Sequence, residues 1–108
     1  MNAYIILFSA ILCEVIGTML LPASQSFTKI IPTTLLTLSY ILSFYLLALI
    51  SERIPLPILY ASWAGLGVCL VAVLNYFFYK QTLSWQAVIG LFLIIVGVSL
   101  VNIFKGEI

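Results

Sequence analysis

"YIILFSAILCEVIGTMLL", residues 4–21, is an apolar run long enough to cross a membrane as one helix, with a single carboxylate, Glu14, near its middle. Three more apolar runs follow, separated by short polar or proline-containing breaks, at 33–50, 57–79 and 85–104. A helix needs about 20 residues to cross about 30 Å of hydrocarbon, and each run is close to that length. The alternating segments of about ten residues that build membrane β-barrels do not occur in the sequence. The sequence therefore predicts an all-α integral membrane protein, a single domain of four transmembrane helices over residues 1–108.

The composition excludes several classes of protein. Of the 108 residues, 65% are hydrophobic and only 6% are charged, which no soluble domain of this size could cover with polar surface. The net charge is +1 and no basic patch exists, so we expect no nucleic-acid partner. There is no histidine, and Cys13 and Cys69 lie inside apolar runs, so we expect no metal site, cofactor or disulfide framework. The first run lacks a basic flank and contains Glu14, so it is interpreted as a retained span rather than a signal peptide.

The positive charges are divided equally between the two faces of the membrane. With four spans, one face carries Arg53 and Lys105 and the other carries Lys29 and Lys80, so the positive-inside rule favours neither orientation. Either the amino terminus or the lipids determine one orientation, or the chain inserts both ways. Membrane transporters commonly bind their substrates at the midplane between symmetry-related halves, and this chain shows no internal repeat. An antiparallel homodimer of oppositely oriented chains would supply two such halves.

Glu14 lies about 16 Å along the first helix, near the centre of the bilayer. An ionised carboxylate at that depth costs at least about 2.5–3.5 kcal/mol, and none of the four spans contains a basic residue to offset the charge. Desolvation therefore favours the protonated acid until a cation enters the site. Protons and a cationic ligand then compete for one carboxylate, which is the minimum requirement for an exchanger. The alternative is that Glu14 stays protonated and only hydrogen-bonds a neighbouring helix.

Side chains at helical spacing predict a cavity around Glu14. The residues three and four positions away are expected to line it: Ala10, Ile11, Gly17 and Thr18. Small residues among them, such as Ala10 and Gly17, leave space for a ligand or allow close helix packing. Aromatic side chains attract organic cations where water is scarce. The second and third spans carry such residues at the same spacing, and we expect them to line the cavity: Tyr40, Phe44, Tyr60 and Trp63.

Two pairs of glycines suggest moving or contacting parts. Gly65 and Gly67 lie in the middle of the third span, where paired glycines permit either a hinge or close packing, and we assign them to a hinge. Gly90 and Gly97 lie on one stripe of the fourth span, which favours helix self-association. We therefore assign Gly90 and Gly97 to the dimer interface.

Four motifs together resemble the small multidrug resistance family over essentially the whole chain. They are "AILCEVIGT" around Glu14, "SFTKIIP" in the first loop, "IPLPILYASWAGLG" leading into the third span and "IGLFLIIVGVSLVN" in the fourth. The resemblance implies a multi-pass protein of the bacterial inner membrane that exports small organic cations in exchange for protons. It also implies an antiparallel homodimer in which the two copies of Glu14 bind protons or substrate in turn.

A few positions indicate the branch of that family. Guanidinium exporters resemble this chain but have tryptophan in place of Gly17 and no aromatic residue at Tyr40, so the chain is more similar to the branch that exports quaternary ammonium and polyaromatic cations. We expect the small Gly17 to leave room for a bulkier ligand. The chain departs from the family pattern at Pro22, Pro57 and Ala64. A guanidinium-type metabolite exporter and a non-transporting accessory protein with a structural Glu14 remain the alternatives.

Overall fold

The protein is described by a computed structural model that covers residues 2–104, and this part of the chain contains helices and no strands. Four long helices and one short helix follow one another, namely α1 (Ala3–Met19), α2 (Leu21–Ser24), α3 (Ile30–Ile50), α4 (Leu56–Phe78) and α5 (Trp85–Ile103). The predicted all-α fold is confirmed. Lys105, one of the two positive charges assigned above to its face of the membrane, lies outside the described residues.

Local sequence signals determine where the helices begin and end. The side chains of Asn2 and Ser84 cap α1 and α5, accepting hydrogen bonds from the backbone N–H groups of Tyr4 and Ala87. α1 ends at Met19, two residues before the predicted end of the first span, because Pro22 cannot continue that helix and instead occupies the first turn of α2. α3 begins at Ile30, three residues before the predicted start of the second span at residue 33. The proline at position 32 does not prevent this, because proline is tolerated within the first turn of a helix.

The helices are arranged in the spatial order α3, α1, α4, α5. α1 packs against α3 on one side and α4 on the other, and α5 packs against α4. Among the described residues, no Cα atom of α3 comes within 8 Å of α4 or α5. The result is a slab with dimensions of 44 × 35 × 19 Å, in which only α1 and α4 have long helices on both sides.

The buried core lies along α1, where four residues of this helix meet the end of α3, the loop after it and the beginning of α4. Its buried members are Ile6, Leu7, Ile11, Val15, Ile50, Ile54, Ile58 and Leu59. Most other large apolar side chains point outward, and Val98 is the one buried residue of the 19 in α5. Three helices, α3, α4 and α5, are long and apolar enough to cross a membrane, and the shorter α1 is similarly apolar. The exposed apolar surface therefore faces lipid, as expected of a membrane protein.

The glycines assigned to a hinge and to a dimer interface have different surroundings. α4 continues without interruption through Gly65 and Gly67. A Cβ atom at Gly65 would lie 2.6 Å from Cγ2 of Val98, so close packing of α4 against α5 already requires glycine there. By contrast, no atom lies within 4 Å of a Cβ built at Gly90 or Gly97, and this edge of α5 is open. The hinge and the dimer interface stay predictions.

Candidate functional site

Glu14 lies in the middle of α1, where a chain of hydroxyl groups connects it to α3. Thr18, one turn further along α1, donates a hydrogen bond of 2.8 Å from Oγ1 to Oε1 of Glu14. The same Oγ1 lies 2.7 Å from the hydroxyl of Tyr40 on α3. A threonine hydroxyl has one proton, so when that proton is donated to Glu14, Tyr40 must be the donor of the second bond. The order Tyr40, Thr18, Glu14 directs both hydroxyl protons toward the carboxylate, which stabilises its ionised form.

On the other side of α1, a glycine of α4 makes room for the carboxylate. A Cβ atom at Gly67 would lie 2.9 Å from Oε2 of Glu14, so any side chain at this position would displace the acid. The carboxylate borders a cavity of about 280 Å³ between α1 and α4, whose walls are otherwise mostly apolar: Glu14, Thr18, Trp63, Ala64, Gly67, Val68 and Val71. The cavity thus presents one carboxylate among mostly apolar walls.

Within residues 2–104, the long helices around Glu14 carry no basic side chain. α1, α3, α4 and α5 contain no lysine, arginine or histidine. Among residues 2–104, no three histidine, cysteine, aspartate or glutamate side chains lie close enough together to hold a metal ion. The long helices therefore offer no basic side chain to balance an ionised Glu14.

Trp63 separates the cavity at Glu14 from a second cavity of about 300 Å³ that Phe44 and Tyr60 help to line. Its ring stacks on Tyr60 with centroids 6.1 Å apart and an interplanar angle of 28°, and it contacts Phe44 at a centroid distance of 5.6 Å. Its indole nitrogen is buried without a hydrogen-bond partner among the described residues. Three of the four predicted aromatic residues thus form one cluster, and the fourth, Tyr40, lies with Thr18 on the side of α1 that faces α3.

The remaining predicted residues lie in helix contacts rather than along the cavity. Ala10 is fully buried, and its carbonyl accepts a hydrogen bond of 2.7 Å from the Ser43 hydroxyl. Ile11 belongs to the core. A Cβ atom at Gly17 would lie 3.2 Å from a ring carbon of Tyr40, so the space that the sequence analysis reserved for a bulkier ligand is filled by that ring.

The structure adds α4 residues that the sequence analysis did not place at the site. Gly67 contacts Glu14, and Ala64 and Val68 line its cavity. Helical spacing could have indicated this face, because Gly67 and Val68 follow Trp63 and Ala64 by one turn. The glycine pair was instead interpreted by its flexibility, which obscured the contact that Gly67 makes.

Known proteins resemble this chain over nearly its whole length. The family model described as "Small Multidrug Resistance protein" matches residues 2–94. The chain is 44% identical over 105 residues to the multidrug transporter EmrE of Escherichia coli (strain K12), covering 97% of this chain and 96% of that protein. It is 41% identical over 101 residues to the quaternary ammonium compound-resistance protein QacG of Staphylococcus sp. (strain ST94), covering 94% of each. It is 42% identical over 105 residues to QacF of Klebsiella aerogenes, covering 97% of this chain and 96% of that protein. The chain therefore belongs to the small multidrug resistance family.

Proposed function

We propose that the protein is a proton-coupled antiporter that exports hydrophobic organic cations such as quaternary ammonium compounds. The observation that carries this proposal is Glu14, a membrane-embedded carboxylate that borders an apolar cavity and has no cationic partner in any long helix. The names of the relatives point to the same substrates, since they are a multidrug transporter and quaternary ammonium compound-resistance proteins.

Exchange follows from competition at one carboxylate. When a cation enters the cavity, its charge stabilises ionised Glu14 and the proton leaves. The hydroxyl of Thr18 stabilises the same ionised state by donating to Oε1. The ring of Trp63 lines the cavity and can contact the cation through its face. When the cation departs on the other side of the membrane, a proton takes its place at Glu14.

The functional unit we propose is an antiparallel, dual-topology homodimer in the bacterial inner membrane. A single chain leaves its aromatic cluster open, because Tyr60 is 65% exposed and Phe44 is 56% exposed. A second copy would cover this surface and contribute a second Glu14. The open edge of α5 at Gly90 and Gly97 is available for the contact, and the equal distribution of Lys and Arg permits opposite insertion.

Proton release on cation binding tests the proposal. Purified protein in detergent and weak buffer receives tetraphenylphosphonium, and guanidinium in a separate run, while the pH is recorded. We expect the wild-type protein to release protons with tetraphenylphosphonium and the Glu14→Gln variant to release none. Glu52→Gln is the matched control, because Glu52 is exposed in the loop between α3 and α4, and we expect it to behave like wild type.

Three outcomes would contradict parts of the proposal. Release from Glu14→Gln equal to wild type would remove the carboxylate from the mechanism. Release with guanidinium alone would assign the protein to the guanidinium-exporting branch. Absence of release with either cation would leave Glu14 with a structural role and favour an accessory protein.

A further inference from the structure

A groove between α4 and α5 is separate from the Glu14 site. It has a volume of about 500 Å³, and its walls are apolar except near the loop that joins the two helices, where Gln81 and Thr82 contribute. It extends along α4 from Cys69 to Tyr76, a distance of about 10 Å at 1.5 Å per residue. One leaflet of hydrocarbon is about 15 Å deep, so the groove covers most of the depth of one leaflet.

The groove lies on the opposite side of α5 from the edge proposed for dimerisation. Successive residues of a helix are rotated by about 100°, so Phe92 is rotated by about 200° from Gly90. The same rotation separates Ile95 from Gly97. Both Phe92 and Ile95 line the groove, and their side of α5 stays open when two copies pair through the glycines. With that edge in the dimer contact, lipid is the medium that faces the groove.

The loop at the mouth of the groove has the composition typical of the membrane–water interface and directly follows a lysine. Lys80 is exposed and directly precedes the loop residues that line the mouth. Trp85, which is 69% exposed, begins α5 beside the mouth, and tryptophan is enriched at the level of lipid headgroups. Of the two acidic residues that the structure describes, Glu14 lies in the middle of α1. Glu52 precedes the opposite end of α4, a helix of 23 residues that is about 34 Å long.

We propose that this groove binds one acyl chain of an anionic phospholipid, with the lipid phosphate near Lys80. The apolar walls between Cys69 and the loop receive the chain, and Gln81 and Thr82 offer polar groups to the glycerol and phosphate region. A lysine near the membrane surface strengthens binding of an anionic lipid about fivefold, the equivalent of about 1 kcal/mol. The exposure of the groove to lipid rests on the dimer edge proposed above, but the test of lipid binding does not require transport.

Photolabelling in vesicles tests the proposal. Purified full-length protein is reconstituted in phosphatidylcholine containing a minor share of phosphatidylglycerol whose acyl chain carries a diazirine, and the labelled residues are mapped by mass spectrometry. We expect the label on the groove-lining residues of α4 and α5. Val73→Trp fills the groove and is expected to reduce that label at least several-fold. Val96→Trp is the matched control, because Val73 and Val96 are both 53% exposed and Val96 does not line the groove.

A second pair of variants tests the headgroup. Lys80→Gln is expected to reduce labelling by phosphatidylglycerol about fivefold and to leave labelling by a phosphatidylcholine probe unchanged. Lys29→Gln is the control, and we expect it to leave labelling of the groove unchanged. Lys29 lies in the segment between the end of α1 and the start of α3. A hydrogen bond from the hydroxyl of Tyr79 to the carbonyl of Met19 joins this end of α1 to the end of α4, so Lys29 and Lys80 lie at the same end of the helices. Ile95→Trp fills the groove from α5 and replaces Val73→Trp if that variant does not fold.

The proposal is overturned if the label is spread evenly over the exposed side chains of α1 and α3. It is also overturned if both groove-filling variants are labelled as strongly as wild type. Equal labelling of the groove by phosphatidylglycerol and phosphatidylcholine would refute the role of Lys80. Chemical crosslinks between two copies through the groove residues, with no lipid label there, would show that protein covers this surface.

Discussion

Thr18→Val is expected to weaken cation binding about tenfold to 150-fold. Valine has nearly the shape of threonine but lacks the hydroxyl that donates a hydrogen bond of 2.8 Å to Oε1 of Glu14. A hydrogen bond to a charged group contributes about 1.5–3 kcal/mol, and 1.4 kcal/mol corresponds to about tenfold in affinity. The loss falls on cation binding, because a bound cation requires the ionised carboxylate that Thr18 stabilises.

A double-mutant cycle with Tyr40→Phe tests whether the hydroxyls act in series. The Tyr40 hydroxyl contacts Thr18 at 2.7 Å, and loss of this neutral hydrogen bond is expected to cost about 0.5–1.5 kcal/mol. If Tyr40 acts only through Thr18, the double variant binds the cation as Thr18→Val does. If Tyr40 contacts the cation directly, the two losses add.

The assay is isothermal titration with tetraphenylphosphonium at one fixed pH. Thr37→Val is the matched control, because the Thr37 hydroxyl is exposed and donates to the backbone carbonyl of Thr33 within α3. We expect the control to bind like wild type. Wild-type affinity in Thr18→Val would refute the reasoning, since the hydroxyl would then contribute nothing to the ionised state of Glu14.

Two further predictions concern the contacts of α5. Gly65→Ala is expected to destabilise the protein by about 1–3 kcal/mol, because the new Cβ would lie 2.6 Å from Cγ2 of Val98, and adding Val98→Ala is expected to recover much of that loss. The measurement is unfolding in a denaturing detergent, and equal stability of Gly65→Ala and wild type would contradict it. Gly97→Leu is expected to leave the helical content unchanged, since no atom lies within 4 Å of a Cβ built at Gly97. It is expected to reduce the dimer population in analytical ultracentrifugation, because the leucine side chain would lie in the proposed dimer contact. Unchanged dimerisation would place the interface elsewhere.

The number and type of helices could be predicted from the sequence because the bilayer requires long apolar runs with internally satisfied backbones. Proline explains where the prediction was less accurate. The first span was predicted to reach residue 21, directly before Pro22. The helix instead ends at Met19, because the proline three residues later cannot continue it. Apolar length alone does not contain this information.

The order of the helices could not be predicted, and this limited the description of the site. Helices that are apolar all round have no polar face to indicate which side meets a neighbour. Spacing along α1 correctly placed Thr18 beside Glu14. It could not show that Tyr40 of α3 and Gly67 of α4 lie on either side of this pair, nor that Ile11 packs into the core.

The position of the acid on α1 follows from the arrangement of the helices. α1 lies between α3 and α4, so a side chain on it can be held by a hydroxyl from one neighbour while it borders a cavity formed with the other. Within a single chain, a carboxylate on α5 would have only α4 beside it, and its ionised form would have no second helix to shield it. Glu14 is partly buried rather than fully enclosed. Its accessible side is bordered by Trp63 and Val68 of α4, so a second chain that covers this side would complete the enclosure without displacing the Tyr40–Thr18 hydrogen bond on the opposite side.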